Sequence, residues 1–337
     1  MKEAAENKIN PDMDSHTIEK NTTHSKINNK KLIEWLLALP VDPCIQNEEG
    51  ETALMLAAEN PELLFVVKHL LKTCPQCLAL QDKKGENALF HSVGNTPAFK
   101  ELLANEQLDI NHQNNEGETV LIHCCRKEHF DLIPELLSGR KDIDVNKTDK
   151  RDWTAAMYLA EKARNTEFRA LNLRCCFYDY KNSKNESVLS IVIQKLYRSG
   201  VLPSREILTE YIKILFGLII FNCDFNLPVD KDENTAIMVF MPTRDFYTLY
   251  CVLENNECYN LSVQNKYGES ASSLCMKGKH QPFYFPIMLR HPTFDFKFVD
   301  FQSGNTMLMY SAIAHPQSIG DVIRHNVNTI NVINKKK

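Results

Sequence analysis

The side chains best equipped for chemistry in this chain are its cysteines. Cys74-Pro75-Gln76-Cys77 has the Cys-x-x-Cys spacing that can hold zinc or cycle between dithiol and disulfide. Structural zinc sites use four ligands, so a second pair should stand elsewhere. The chain has no other Cys-x-x-Cys and no His-x-x-His. A redox pair is expected after a strand and before a helix. This one instead follows an apolar helical run, where the chain turns. It reads as an ordinary loop pair, and no metal or cofactor is expected. Cys124-Cys125 and Cys175-Cys176 read as small, soft packing residues at crowded helix contacts. His91 and His123 read as packed or hydrogen-bonded histidines.

There is no Gly-x-Ser-x-Gly, His-Glu-x-x-His, Gly-x-x-x-x-Gly-Lys or Gly-x-Gly-x-x-Gly. No pair of acids stands out from solvated surface, and no catalytic residue is expected. The net charge of −4 is a mild acidic balance. It argues against nucleic acid, which needs a clustered basic face. The longest apolar run, Ile214 to Phe221, lies between Lys213 and Asp224. It falls short of the ~18 residues that a membrane span needs, so it reads as a buried outer helix and no direct membrane insertion is expected. Eleven scattered cysteines follow a polar N-terminus without an apolar leader. Free thiols in a reducing compartment, cytoplasm or nucleus, are the simplest reading.

The elements that would position any site come from one repeated stretch. Gly50-Glu51-Thr52-Ala53-Leu54-Met55-Leu56-Ala57-Ala58 sets the pattern: a turn residue, a spacer, a hydroxyl or amide residue, then apolar and small residues. Copies begin at Gly50, Gly85, Gly117, Asp152, Asn185, Glu233, Gly268 and Gly304, in steps of 35, 32, 35, 33, 48, 35 and 36 residues. A period near 33 with one insertion marks a stacked repeat architecture. Each copy has a second apolar helix, as in Leu63 to Leu71, and then an extended piece such as Asp109-Ile110-Asn111. The unit is helix, turn, helix, finger.

This unit resembles the ankyrin repeat, whose pattern is Gly-x-Thr-Pro-Leu-His-x-Ala-Ala, two helices, then Asp-Val-Asn. Thr52, Thr119, Thr154, Thr235 and Thr306 match its threonine, and Leu54, Leu89, Leu121, Leu189 and Leu308 its leucine. Ala57-Ala58 match its alanine pair; Asp109-Ile110-Asn111, Asp144-Val145-Asn146 and Asp224-Phe225-Asn226 match its Asp-Val-Asn. The resemblance implies an all-α, ankyrin-type helical solenoid with short β-hairpin or finger loops, and it covers about residues 30–337. Two features depart from the family. No copy keeps the proline, and none keeps the histidine: Met55, Phe90, Ile122, Met157, Ser190, Met238, Ser273 and Met309 stand there. In the family that imidazole helps tie neighbouring units, so its loss implies a looser array.

The expected organisation is a disordered tail over 1–29, too polar to bury a core, a half-repeat cap over 30–46, and a repeat array over 47–337. Repeats would start near 47, 82, 114, 149, 182, 230, 265 and 301. In the cap, Trp35 should lie on an apolar neighbour. In the fifth unit, Ser187 to Tyr197 should form the first helix, with a break at Gly200 to Ser204 and a long second helix over Arg205 to Phe221. The last residues, from Ile330 to Lys337, read as half a finger, so the sequence is expected to be part of a longer array.

Such an array presents inner helices and finger tips on one concave side. Exposed residues there are free of packing duty. Tips two, four and five are basic, and the residues expected to bind a partner are Lys83, Lys84, Lys150, Arg151, Trp153, Lys184 and Tyr267. The expected function is a non-enzymatic protein-interaction scaffold or adaptor, whose partner is a protein presenting an acidic or extended peptide. An alternative is a regulatory or targeting arm of a larger enzyme or membrane-trafficking or signalling factor. Asn111 and Asn226 each end a Leu-x5-Asp-apolar-Asn run. This resembles the pattern that an asparagine hydroxylase modifies in ankyrin repeats, and the competing reading is hydrogen bonding within the finger.

Overall fold

Seven of the eight units start with the same local device, the exception being the sixth, where Thr235 makes no such bond. Thr52, Thr119, Thr154 and Thr306 sit in extended backbone, and each hydroxyl accepts a hydrogen bond from the N–H three residues on, at 3.3 Å. Ser187 and Ser270 do the same at 3.2 Å. Asn87 does it with its amide, bonding the N–H of Leu89 at 3.1 Å. Each cap satisfies a donor that a helix start would otherwise leave bare. This is why the hydroxyl or amide of the repeated stretch recurs.

In the computed structural model, residues 30–197, 204–243, 252–254, 259–278, 285–300 and 302–325 are described. The expected tail over 1–29, the break at 200–203 and the half-finger over 330–337 lie outside them. Paired helices follow one another: α1 (30–37), α2 (Ala53–Glu59), α3 (Leu64–Thr73), α4 (Ala88–His91), α5 (Thr96–Leu103), α6 (Val120–Lys127) and α7 (Ile133–Gly139). Then come α8 (Ala155–Glu161), α9 (Asn165–Ala170), α10 (Val188–Tyr197), α11 (Arg205–Ile220) and α12 (Ala236–Phe240). The last are α13 (Ala271–Lys277), α14 (Phe285–Arg290), α15 (Met307–Ala314) and α16 (Ile319–His325). Inner helices α2, α4, α6, α8, α10 and α12 pack in succession, as do outer helices α3, α5, α7, α9 and α11. The core is therefore a continuous seam that runs through all the units. This is the all-α solenoid that the repeats imply.

The details follow from the sequence. Small residues occupy the tight seam: Ala57, Ala58, Cys124 and Cys125 are all buried. The Ile214–Ile219 stretch of α11 is buried apart from Phe216, which packs partly on the core. Ser204 caps α11 by accepting from the N–H of Ile207 at 3.4 Å. The cap helix α1 departs from expectation. Ile33 and Leu37, one turn apart, face the core, whereas Trp35 stays 60% exposed beside exposed Leu32, Leu36 and Leu39. A helix this short offers only one buried face, and Trp35 lies off it. The fingers remain turns. Among the described residues the antiparallel pairing is confined to isolated bridges, Thr148 with Thr154, Gln264 with Ser270 and Val299 with Thr306.

The turn positions need a left-handed backbone. Gly50, Gly85, Gly117, Gly268 and Gly304 have φ between +70° and +82°, and Asp152, Asn185 and Glu233 adopt φ of 64°, 60° and 61° at the same place. Only glycine does so without steric cost. At Gly117 a Cβ would also meet the backbone nitrogen of Lys150 at 3.0 Å, whereas at Gly268 it would meet nothing within 4 Å. Gly117→Ala is therefore expected to destabilise the fold by about 2 kcal/mol, Gly268→Ala by about 1 kcal/mol, and Glu233→Gly to stabilise it by up to about 1 kcal/mol. Urea unfolding of the three variants checks the ranking.

Candidate functional site

The finger tips are built from an acceptor that sits three residues before the turn residue, or four before Gly304. The Oδ1 atoms of Asn47, Asp82, Asn114, Asp149, Asn182, Asp230 and Asn265 each accept from two backbone N–H groups, two and four residues on, at 2.8–3.0 Å. Asp300 accepts from the N–H of Gln302 at 2.9 Å. Such Asx turns fix loop backbone without help from a strand.

Neighbouring tips are then joined through the main chain. The N–H of Lys83 donates to the carbonyl of Glu49 at 2.9 Å, that of Asn115 to Lys84 at 2.8 Å, that of Lys150 to Glu116 at 2.9 Å, and that of Lys266 to Asp232 at 3.1 Å. Between the fourth and fifth tips the link changes: the N–H of Ser183 donates to the carboxylate of Asp152 at 2.6 Å, and Tyr180 also donates to that carboxylate. Tips one to five thus form a row with set spacing, and the sixth and seventh are joined to each other.

Lys83, Lys84, Lys150, Arg151 and Lys184 all stand exposed on this row. Lys83 pairs with Glu49 at 3.7 Å, an exposed contact of small energy. Lys84, Lys150, Arg151 and Lys184 make no ion pair among the described residues. Trp153 is placed differently from the basic residues of the row. It is half-buried, with its ring 5.0 Å from that of Tyr158, and it packs on the core. Tyr158 itself donates to Asp149 at 2.6 Å, so the indole props up the turn from below. Tyr267 is exposed but sits apart, on the tip of the Asn265 turn, where its hydroxyl donates to Asp232 at 3.2 Å and Lys266 lies over its ring.

The Asp-apolar-Asn motifs bridge units. The amide of Asn111 accepts from the N–H of Asp144 at 2.7 Å and donates to the carbonyl of Asp142 at 2.8 Å. Asn146 does the same with Phe177 and Cys175, and Asn226 accepts from the N–H of Asn260 at 2.5 Å. These contacts couple neighbours where the family's imidazole is missing.

The histidines and acids also serve the frame. His91 lies between Glu59 at 2.6 Å and Asp82 at 3.2 Å, with its ring buried. Glu118, buried in the third unit, meets His123 at 3.0 Å and forms a two-pronged pair with Arg126. Burial works to raise the Glu118 carboxyl, but the bonds from His123 and Arg126 outweigh it and hold the group down at about 2. The Cys-x-x-Cys pair is not isolated. A third thiol, Cys44 of the first finger, lies 2.6 Å from Cys77 and 3.4 Å from Cys74. Sequence spacing gave no sign of it, because 30 residues separate Cys44 from Cys74. No helix among the described residues is long and apolar enough to cross a membrane.

Comparison with known proteins fits this frame. The family model described as ankyrin repeats, three copies, matches residues 23–107 and again 92–172. Residues 23–172 are thus ankyrin repeats. No curated protein matches it. Among solved structures, it is similar to an ankyrin repeat domain from Acinetobacter baumannii AYE, at 20% identity over 59% of this chain and 94% of that one, with a TM-score of 0.48. Ankyrin repeats are in general protein–protein interaction modules, and family members are typically non-enzymatic.

The depressed Glu118 carboxyl has a measurable consequence. An acid held below its ordinary value stabilises the fold fully above its unfolded pKa, and that contribution is lost as pH falls through the folded value. The window here runs from about pH 4.3 down to about 2. Glu118→Gln should cost about 2 kcal/mol at neutral pH and flatten the stability curve across that window. Urea titrations at stepped pH measure both effects.

Proposed function

We propose that this chain is a non-enzymatic scaffold that holds a protein partner across its finger tips, and that the partner is an extended acidic segment. The observation that carries the reading is the row of bonds between tips, main-chain through the first four and through the Asp152 carboxylate to the fifth. It sets exposed Lys84, Lys150, Arg151 and Lys184 on a stiff line, with no ion pair to quench them among the described residues. A preorganised surface loses little entropy on binding. A basic row attracts an acidic chain and rejects a basic one. Trp153 supports the surface rather than anchoring the partner, and Tyr267 would extend the contact only if the segment reached the later tips. A cytoplasmic or nuclear setting suits the free cysteines.

Fluorescence anisotropy with labelled poly-glutamate and poly-lysine peptides tests the reading. The acidic peptide should bind, and binding should weaken as salt rises. Lys150→Glu combined with Arg151→Glu should weaken it about tenfold. Lys72→Glu, on an outer helix, should leave it unchanged. Equal binding of both peptides, or no effect of the double variant, removes the tips as the docking surface.

A further inference from the structure

Three thiols converge where the first finger meets the end of α3. Cys74 caps α3, its N–H donating to the carbonyl of Leu70 at 2.8 Å. Pro75 then starts a tight turn of 3-10 helix over Pro75–Ala79, in which the N–H of Cys77 donates to the carbonyl of Cys74 at 3.1 Å. In such a turn, side chains three apart eclipse one another. Both sulfurs therefore point the same way, 3.3 Å apart. Cys44 arrives from the finger, its N–H held by the carboxylate of Asp42 at 2.9 Å, and its sulfur lies 2.6 Å from Cys77 and 3.4 Å from Cys74.

This arrangement has more chemistry in it than packing requires. A buried cysteine that merely fills space needs no second sulfur beside it, let alone a third. Three sulfurs, two of them buried, form one face of a coordination sphere. We propose that Cys44, Cys74 and Cys77 form a three-thiolate site for a soft d10 cation, zinc(II) or copper(I). Thiolate sulfur selects these ions over hard cations such as magnesium or calcium. Binding requires deprotonated sulfur, so three S–H bonds break, three metal–sulfur bonds form and three protons leave to solvent. No electron is transferred. Zinc would complete its sphere with a water on the solvent side of Cys44, and copper(I) would need no fourth ligand.

The geometry leaves one adjustment. A zinc–sulfur bond of about 2.3 Å sets tetrahedral sulfurs ~3.8 Å apart, so Cys44 must draw back from Cys77. It can do so, because the finger residues around it, Val41, Asp42, Ile45 and Gln46, are exposed. Cys74 and Cys77 are pinned by the backbone and need move little. Because binding releases protons, the site should load better as pH rises.

The test uses the full chain, reduced and kept free of oxygen. Cadmium(II), a d10 probe with ultraviolet thiolate-to-metal absorption, is titrated in. A sharp end point at one equivalent is expected, and zinc bound beforehand should be displaced by the softer cadmium. A parallel titration with copper(I) against a chromophoric chelator decides which of the two ions binds more tightly. Alkylation followed by peptide mass analysis should show Cys44, Cys74 and Cys77 protected by metal, with exposed Cys175 labelled as before. Cys44→Ser should abolish the end point, while Cys175→Ser should not. Because alkylation mapping is done on the native sequence, it decides the matter even if Cys44→Ser folds poorly. Absence of an end point, protection of other cysteines, or recovery of a Cys44–Cys77 disulfide from the freshly isolated protein would overturn the assignment.

Discussion

The Asx turn is the constraint on which the rest of the structure depends. One side-chain oxygen, on Asn or Asp, gathers two backbone N–H groups and so fixes the loop before any neighbour is in place. A fixed loop lets the next residue enter the left-handed region, where glycine, Asp152, Asn185 or Glu233 stands. That in turn delivers a threonine or serine in extended backbone to cap the inner helix. Turn, left-handed residue and cap act as one assembly. Its repetition gives successive inner helices a common orientation, so that their apolar faces can meet.

Units are then joined at three levels. The inner and outer helices bury a shared apolar seam, which supplies most of the favourable free energy. Asparagines bridge one finger to the next. Ion pairs recur between successive helices: Lys68 with Glu101 at 2.8 Å and Lys100 with Glu135 at 2.7 Å occupy corresponding positions. They are half-exposed and worth at most about 1 kcal/mol each, so they tune the register of the stack rather than hold it together.

Much of the frame was legible in the sequence. The nine-residue stretch, with its turn residue and hydroxyl, located the starts of α2, α6, α8 and α15, because capping is a local interaction that leaves a local signature. Long apolar runs gave α11 for the same reason. The Asx acceptors went unread, since Asn and Asp alternate there and stand just ahead of the repeated stretch. The half-burial of Trp153 was not legible, because an aromatic next to a charged tip looks exposed. Tyr158, one helical turn into α8, draws it inward, and only packing reveals that. Trp35 erred the other way, on a helix with one buried face. The meeting of Cys44 with Cys74 and Cys77 depends on how far a finger folds back, which no short motif encodes.

The row of tips is held by main-chain atoms, and this bears on how the surface can change over time. Amide and carbonyl groups are common to nearly every residue, so substitutions at Lys84, Lys150 or Lys184 leave the spacing of the row intact. Selection can then rewrite the outward lettering of the tips while the ruled lines beneath stay put. The joint at Asp152 is different, for there the rule itself is drawn by a side chain, and drift at that position would shift the fifth tip against the fourth.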